Sequence, residues 1–138
     1  MFLLDTNVLS ELMKTVPDSR VLAWVDQVLE TDLYFCAISK SEIEWGIALL
    51  PEGKRKQLLT EAAVEAFAMF EGRCLDYSCF VSPFYRDIAM AARQLGRPMS
   101  VEDRMIAAVA QANNAVLVTR NIKDFDFLPT LSLVNPWD

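Results

Sequence analysis

The stretch Ala115-Val116-Leu117-Val118-Thr119 (AVLVT) decides the fold. It is nearly continuous in apolar residues rather than alternating, the pattern of a strand buried on both faces, and such strands belong to parallel sheets covered by helices. Before it, Ser100 to Asn113 carries apolar residues at helical spacing and predicts an amphipathic helix. After it comes Thr119-Arg120-Asn121-Ile122-Lys123-Asp124, a loop at the strand's C-terminal edge, where ligands bind to open α/β sheets.

Working outward, the same alternation of elements repeats. Phe2 to Leu4 is a short apolar run ending at Asp5, and TNVLSELMK after it predicts a helix. A helix from Asp18 presents Val21, Leu22, Trp24, Val25, Val28 and Leu29 on one side, and Leu33 to Ala37 predicts the second strand. A third helix starts near Ser39 and stops at Leu50-Pro51-Glu52-Gly53, where proline and glycine break the pattern. Lys54 to Phe70 predicts a fourth helix, Arg73 to Asp76 a short strand, Pro83 to Leu95 another helix, and Leu131 to Val134 a last strand. The fold class is therefore α/β, a parallel sheet between two helical layers. No internal repeat, low-complexity tract or linker interrupts it, so residues 1–138 read as one domain.

Composition narrows the function. With 19 acidic against 13 basic residues the net charge is −6, which argues against broad adhesion to nucleic acid or anionic membrane but leaves room for a local basic groove. No apolar run reaches the roughly 18 residues of a membrane span, and Asp5 comes too early for a signal peptide, so a cytoplasmic protein is expected. Cys36, Cys74 and Cys79 are odd in number and lack metal-binding spacing, which predicts free thiols. The chain has 0 histidines, which removes the commonest general base and every His-containing metal site. Hydrolytic chemistry would have to run on carboxylates or cysteine.

Three acids stand where chemistry is expected. Asp5 ends the first strand, a position that also suits an ordinary helix N-cap. Glu42 closes Ser39-Lys40-Ser41-Glu42, a pattern that matches a capping box. At about 100° per residue, Ile43, Ile47 and Leu50 fall on one side of Glu42 and Trp45 and Leu49 on the other, which puts the acid inside the apolar face. Gly46 beside it leaves room for a metal or a substrate. Asp103 repeats the arrangement in Ser100-Val101-Glu102-Asp103, with Ile106, Ala107 and Ala110 on its face. Both Glu42 and Asp103 are expected in a first helical turn, where the macrodipole favours an ionised carboxylate. Asn121 or Asp124 completes the group.

These motifs carry a resemblance. LLDTNVLSE (3–11), SEIEWGIALLPEGKRK (41–56), SVEDRMIAAVAQANN (100–114) and VTRNIKDF (118–125) resemble, in order, the four motifs of PIN domains, and the closing Asn135-Pro136-Trp137 fits as well. The match spans essentially the whole chain and is closest to the FitB-like branch of the VapC toxins. The resemblance implies a three-layer α/β/α PIN-like fold and a ribonuclease toxin held inactive by a cognate antitoxin protein. It also implies that members are often dimeric and that structured RNA such as tRNA is the substrate. It makes Asp5, Glu42 and Asp103 the principal acids, with Asn121 or Asp124 in the fourth position. Many relatives carry Asp where Asn121 stands, and an amide adds no charge to a second metal site.

Clustered carboxylates repel unless a cation sits among them, and Mg²⁺ or Mn²⁺ suits an all-oxygen donor set. On this reading Asp5 and Asp103 bind the ion, Glu42 binds it or orients the attacking water, and Thr6, Asn7 and Asn121 hold the carboxylates in place. Lys40, Arg104, Arg120 and Lys123 are candidate RNA contacts, with Lys54-Arg55-Lys56 a further basic cluster. Two other readings compete. A receiver-like phosphoacceptor module would need an acid on a central strand, which Leu33 to Ala37 lacks. An inactive PIN-like binding or regulatory protein is the alternative that Asn121 favours. Exposed aromatic residues among Trp24, Phe67, Phe70, Phe80, Phe84 and Trp137 would serve a dimer face or an antitoxin groove.

Overall fold

Each strand carries apolar side chains to both sides, and the sheet is sandwiched accordingly. The computed structural model describes residues 1–138. The elements run β1 (Phe2–Leu4), α1 (Thr6–Leu12), α2 (Ser19–Gln27), β2 (Leu33–Cys36), α3 (Ala37–Ala48), α4 (Lys54–Met69), β3 (Cys74–Leu75), α5 (Ser82–Gln94), α6 (Val101–Ala112), β4 (Val116–Val118) and β5 (Leu133–Val134). All four strand pairings are parallel, in the order β3-β2-β1-β4-β5. On β1, Leu3 joins a core with Ile106, Val109 and Leu117 beneath α5 and α6, while Leu4 joins one with Val8, Val21, Phe35 and Val118 beneath the first four helices. The three-layer α/β/α arrangement follows from that two-sided burial.

The strand order fixes where a site forms. The chain lays down β1, β2 and β3 in one direction, then crosses to the other side of β1 for β4 and β5. The order reverses between β1 and β4, and the crevice beyond the C-terminal ends of such strands is the usual ligand site of open α/β sheets. The Asp5 N–H donates to Val118 O at 2.9 Å and the Thr119 N–H to Val134 O at 2.9 Å, so both residues are pinned at that edge.

Two local expectations fail at α3. The helix begins at Ala37, directly after β2, with Cys36 in the N-cap position and no side-chain cap. Ser39 is therefore inside the helix, and Glu42 lies beyond the first turn rather than in it. Trp45 and Leu49, expected to bury beside Glu42, are 65% and 64% exposed. Helices α4, α1 and α6 all pack on α3, covering Ile43 and much of Ile47 and leaving the arc of Trp45 and Leu49 in water. Among the aromatic candidates, Phe70 and Trp137 are buried and Phe80 is exposed. The three cysteines are free, as expected.

Candidate active site

Asp5 is the best-anchored acid in the molecule. It is 4% exposed, and it caps α1 by accepting the Thr6 N–H on Oδ1 at 2.7 Å. Its Oδ2 accepts the Thr119 hydroxyl at 2.7 Å and the Asn7 side-chain amide at 3.4 Å. Asn7 is itself held, since its Oδ1 accepts the Arg120 N–H at 3.2 Å. Thr119 Oγ1 also accepts the Asn121 N–H at 3.1 Å. Asp5 is thus both a cap and a fixed carboxylate, so the two sequence interpretations are compatible.

Glu42 is half-buried and has one hydrogen-bond partner, the Thr6 hydroxyl, which donates to Oε1 at 2.7 Å. That hydroxyl has one proton, so Ser39 Oγ, 3.0 Å from it, supplies the donor for the second contact. The α1 residue next to Asp5 thereby joins the β1 edge to α3. Asp103 sits in the first turn of α6, where Ser100 Oγ accepts its N–H at 3.1 Å, and Ile106, Ala107 and Ala110 behind it are fully buried. Here the expected cap and apolar face are both present. Helix α6 packs on α3, which brings Asp103 to the same side of the sheet edge as Glu42.

Electrostatics tie these acids together. Burial, then the charges of Asp5, Asp124 and Glu42, push the Asp103 carboxyl up to about 6. Burial raises Asp5 as well, against the lowering by its Thr119 and Thr6 hydrogen bonds, with Asp124 adding to the rise. Glu42 is raised by burial, opposed by the Thr6 bond, and pushed further by Asp5 and Glu102. The carboxyls lie within one field, yet no three His, Cys, Asp or Glu side chains stand together as a preformed ion cage. Mg²⁺ does not require such a cage, since it keeps several of its waters and takes only one or two carboxylates from a protein. The donors are all oxygen, and like charges that raise one another's pKa are stabilised by a cation among them.

The fourth region divides its two candidates. Asp124 closes a 3-10 turn at Ile122–Asp124, and its charge is felt by both Asp5 and Asp103. Asn121 is exposed and reaches the site through its backbone N–H on Thr119. The cations also divide. Arg120 stacks on Trp137 and Lys123 lines a cleft with Arg120 and Asp124. Arg104 turns back over Tyr85, and Lys40 pairs with Glu44 at 3.1 Å over the Phe67 ring. Lys40 therefore faces the α3–α4 groove, with its charge already matched.

The PIN-domain pattern matches residues 2–128 of this chain. The chain belongs to the PIN-domain family. This PIN domain is 38% identical to the VapC ribonuclease Y4jK of Sinorhizobium fredii, across 100% of the chain and 99% of the relative. It is 36% identical to toxin FitB of Neisseria gonorrhoeae, across 99% of each. The solved structure of FitAB bound to a DNA fragment superposes with a TM-score of 0.90 at 35% identity, covering 100% of this chain and 96% of that one. VapBC2 from Rickettsia felis, bound to DNA from its promoter, gives 0.78 at 28% identity, covering 99% and 98%. The PIN domain falls in the VapC group, as its motifs implied.

Sequence reasoning missed two residues of this PIN domain. Thr119 is 0% exposed and holds Asp5, and its signal was a polar residue closing an otherwise apolar strand. Ser39 is also 0% exposed and supports Thr6, but its capping-box pattern pointed elsewhere.

Proposed function

We propose that the chain is a metal-dependent endoribonuclease, the toxin of a VapBC-like pair, acting in the cytoplasm under a cognate antitoxin. The observation that supports this best is the gathering of Asp5, Glu42 and Asp103 where the strand order reverses, each raised first by burial, with Glu42 feeling the charge of Asp5 and Asp103 feeling both. Three carboxyls that repel one another on a fixed scaffold are suited to a divalent cation. The names of two relatives, a VapC ribonuclease and toxin FitB, agree with the reading. The solved FitAB and VapBC2 assemblies make a protein partner the natural regulator. No helix of the chain is long and apolar enough to cross a membrane, and a homodimer is the assembly proposed.

Mg²⁺ or Mn²⁺, when bound, would polarise the scissile phosphate of RNA and lower the pKa of water. Asp5 and Asp103 would hold that ion, and Asp124 would add charge beside them. Glu42, steered by Thr6, would bind it or orient the attacking water. Thr6, Asn7 and Thr119 fix the carboxylate directions, with the Asn121 backbone behind Thr119. Arg120 and Lys123 are the cations best placed for the RNA backbone, and Arg104 and Lys40 serve less directly.

The test is cleavage of labelled tRNA and single-stranded RNA by the purified chain in Mg²⁺, Mn²⁺ or EDTA, alongside Asp5→Asn and Asp103→Asn. Cleavage by the parent that EDTA abolishes and both variants lose is the expected result. Equal behaviour of all three proteins would instead favour an inactive PIN-like binding protein, which the neutral Asn121 and the open spacing of the acids make the second reading. Growth arrest on expression, relieved by the neighbouring antitoxin gene, would test the toxin assignment.

A further inference from the structure

A cleft of about 320 Å³ opens beside Glu42, between α1, α3 and α4. Thr6, Met13, Glu42, Gly46, Ile47 and Arg55 are among its walls. Gly46 lies in the interior of α3 with no positive φ, and a Cβ added there would meet nothing within 4 Å. Neither backbone geometry nor close packing calls for glycine, although it is the poorest helix former after proline. A larger side chain would project into the cleft one helical turn from Glu42.

The opposite wall carries an uncommitted charge. Lys56 is tied to Glu52 and to the Ala48 carbonyl. Arg55 enters none of the molecule's ion pairs. Of the basic cluster at 54–56, Arg55 is the unpaired cation that lines the cleft reaching Glu42.

We propose that this cleft is a nucleotide subsite, which rests on the ribonuclease reading above. The base beside the scissile bond lies over Gly46 against the apolar wall, and its phosphate pairs with Arg55. A nucleobase has flat apolar faces and an RNA strand carries an anion at every nucleotide, so one ligand satisfies both walls. A peptide would have to supply an acidic side chain to do the same.

Two variants test it: Gly46→Leu, which fills the space with a good helix former, and Arg55→Gln, which removes the charge. Binding of a labelled single-stranded RNA decamer is read by anisotropy with Ca²⁺ in place of Mn²⁺. Cleavage is then followed in Mn²⁺ on decamers that differ only beside the cut bond. Both variants should bind about tenfold more weakly and raise KM more than they lower kcat. Gly46→Leu should also change the preferred flanking base, with cooperative unfolding retained. Unchanged affinity and base preference in both variants would overturn the subsite while leaving the nuclease intact. A defect confined to capture of purified antitoxin would overturn it in favour of a protein dock. Weaker RNA binding by both variants of a parent that cuts nothing would keep the cleft as an RNA site and remove the nuclease.

Discussion

Helices α3 and α6 each deliver an acid to the sheet edge, and each begins near a serine three residues before that acid, yet the local structures are opposite. In α6, Ser100 is extended and its hydroxyl caps the Asp103 N–H. In α3, β2 passes into the helix with no loop between them, so Cys36 takes the N-cap position and Ser39 turns inward. The extended residue at this junction is Cys36, which makes no side-chain cap, so Ser39 falls at the third helical position and cannot serve as one. The difference has a functional side. Ser100 orients a backbone, whereas Ser39 is free to support Thr6, which holds the Glu42 carboxylate.

The largest effect should come from the acids these helices carry. Asp103→Asn is expected to lower single-turnover RNA cleavage in Mn²⁺ by about a hundredfold or more, since even groups that only support a metal ligand cost about 10- to 100-fold. Glu42→Gln keeps an oxygen for the Thr6 hydroxyl and loses only charge. Cleavage close to the parent's in Glu42→Gln would assign Glu42 an orienting role, and a loss equal to that of Asp103→Asn would make it a ligand.

The two serines come next. Ser39→Ala should cost about 2 kcal/mol in urea unfolding, because it removes a buried donor and leaves Thr6 short of one bond, and should slow cleavage about tenfold through a looser Glu42. Ser100→Ala should cost about 1 kcal/mol, the usual value of an N-cap. A stability loss in Ser39→Ala with cleavage unchanged would make the Ser39–Thr6–Glu42 chain purely structural.

Much of this was legible in the sequence because strands buried on both faces must be apolar throughout. AVLVT and Phe2–Leu4 announced themselves, and with them Asp5 at a strand end. Asp103 was legible because α6 sits deep in the core, so its wheel position and its burial agree. Glu42 was located by the wheel for a reason only half correct. A helical wheel gives an apolar arc but not which part of it meets a neighbour, and the helices packed on α3 leave Trp45 and Leu49 in water. Thr119 was illegible because its role depends on β1 and β4 being adjacent, and strand order is a long-range property.

The pH dependence separates the helices by a smaller margin. The Asp103 carboxyl is raised from 3.8 to about 6 in the fold. Protonation therefore favours the folded state. That contribution is complete below the unfolded value and is lost as pH rises through about 6. In EDTA, the parent should lose about 1 kcal/mol between pH 4.5 and 7.5 relative to Asp103→Asn, a figure reduced for a half-exposed group. Mn²⁺ at pH 7.5 should reverse the order of the two proteins, since only the parent keeps the full set of carboxylates. Parallel stability profiles in EDTA would mean that neither burial nor the neighbouring acids hold the Asp103 carboxyl up in the fold.

The smallest contrast concerns how tightly each helix is held. Ala107 of α6 is fully buried, while Gly46 of α3 faces open space. Ala107→Gly should destabilise by about 1 kcal/mol from helix propensity alone, with a further loss from the core. Gly46→Ala should stabilise by about 0.5–1 kcal/mol, since the added methyl group meets nothing and the helix gains a better former. If Gly46→Ala raises the urea midpoint yet lowers kcat/KM on RNA, the glycine is retained at a cost in stability for the sake of the cleft. A rise in both would remove that reason and leave α3 with an ordinary weak point in its second half.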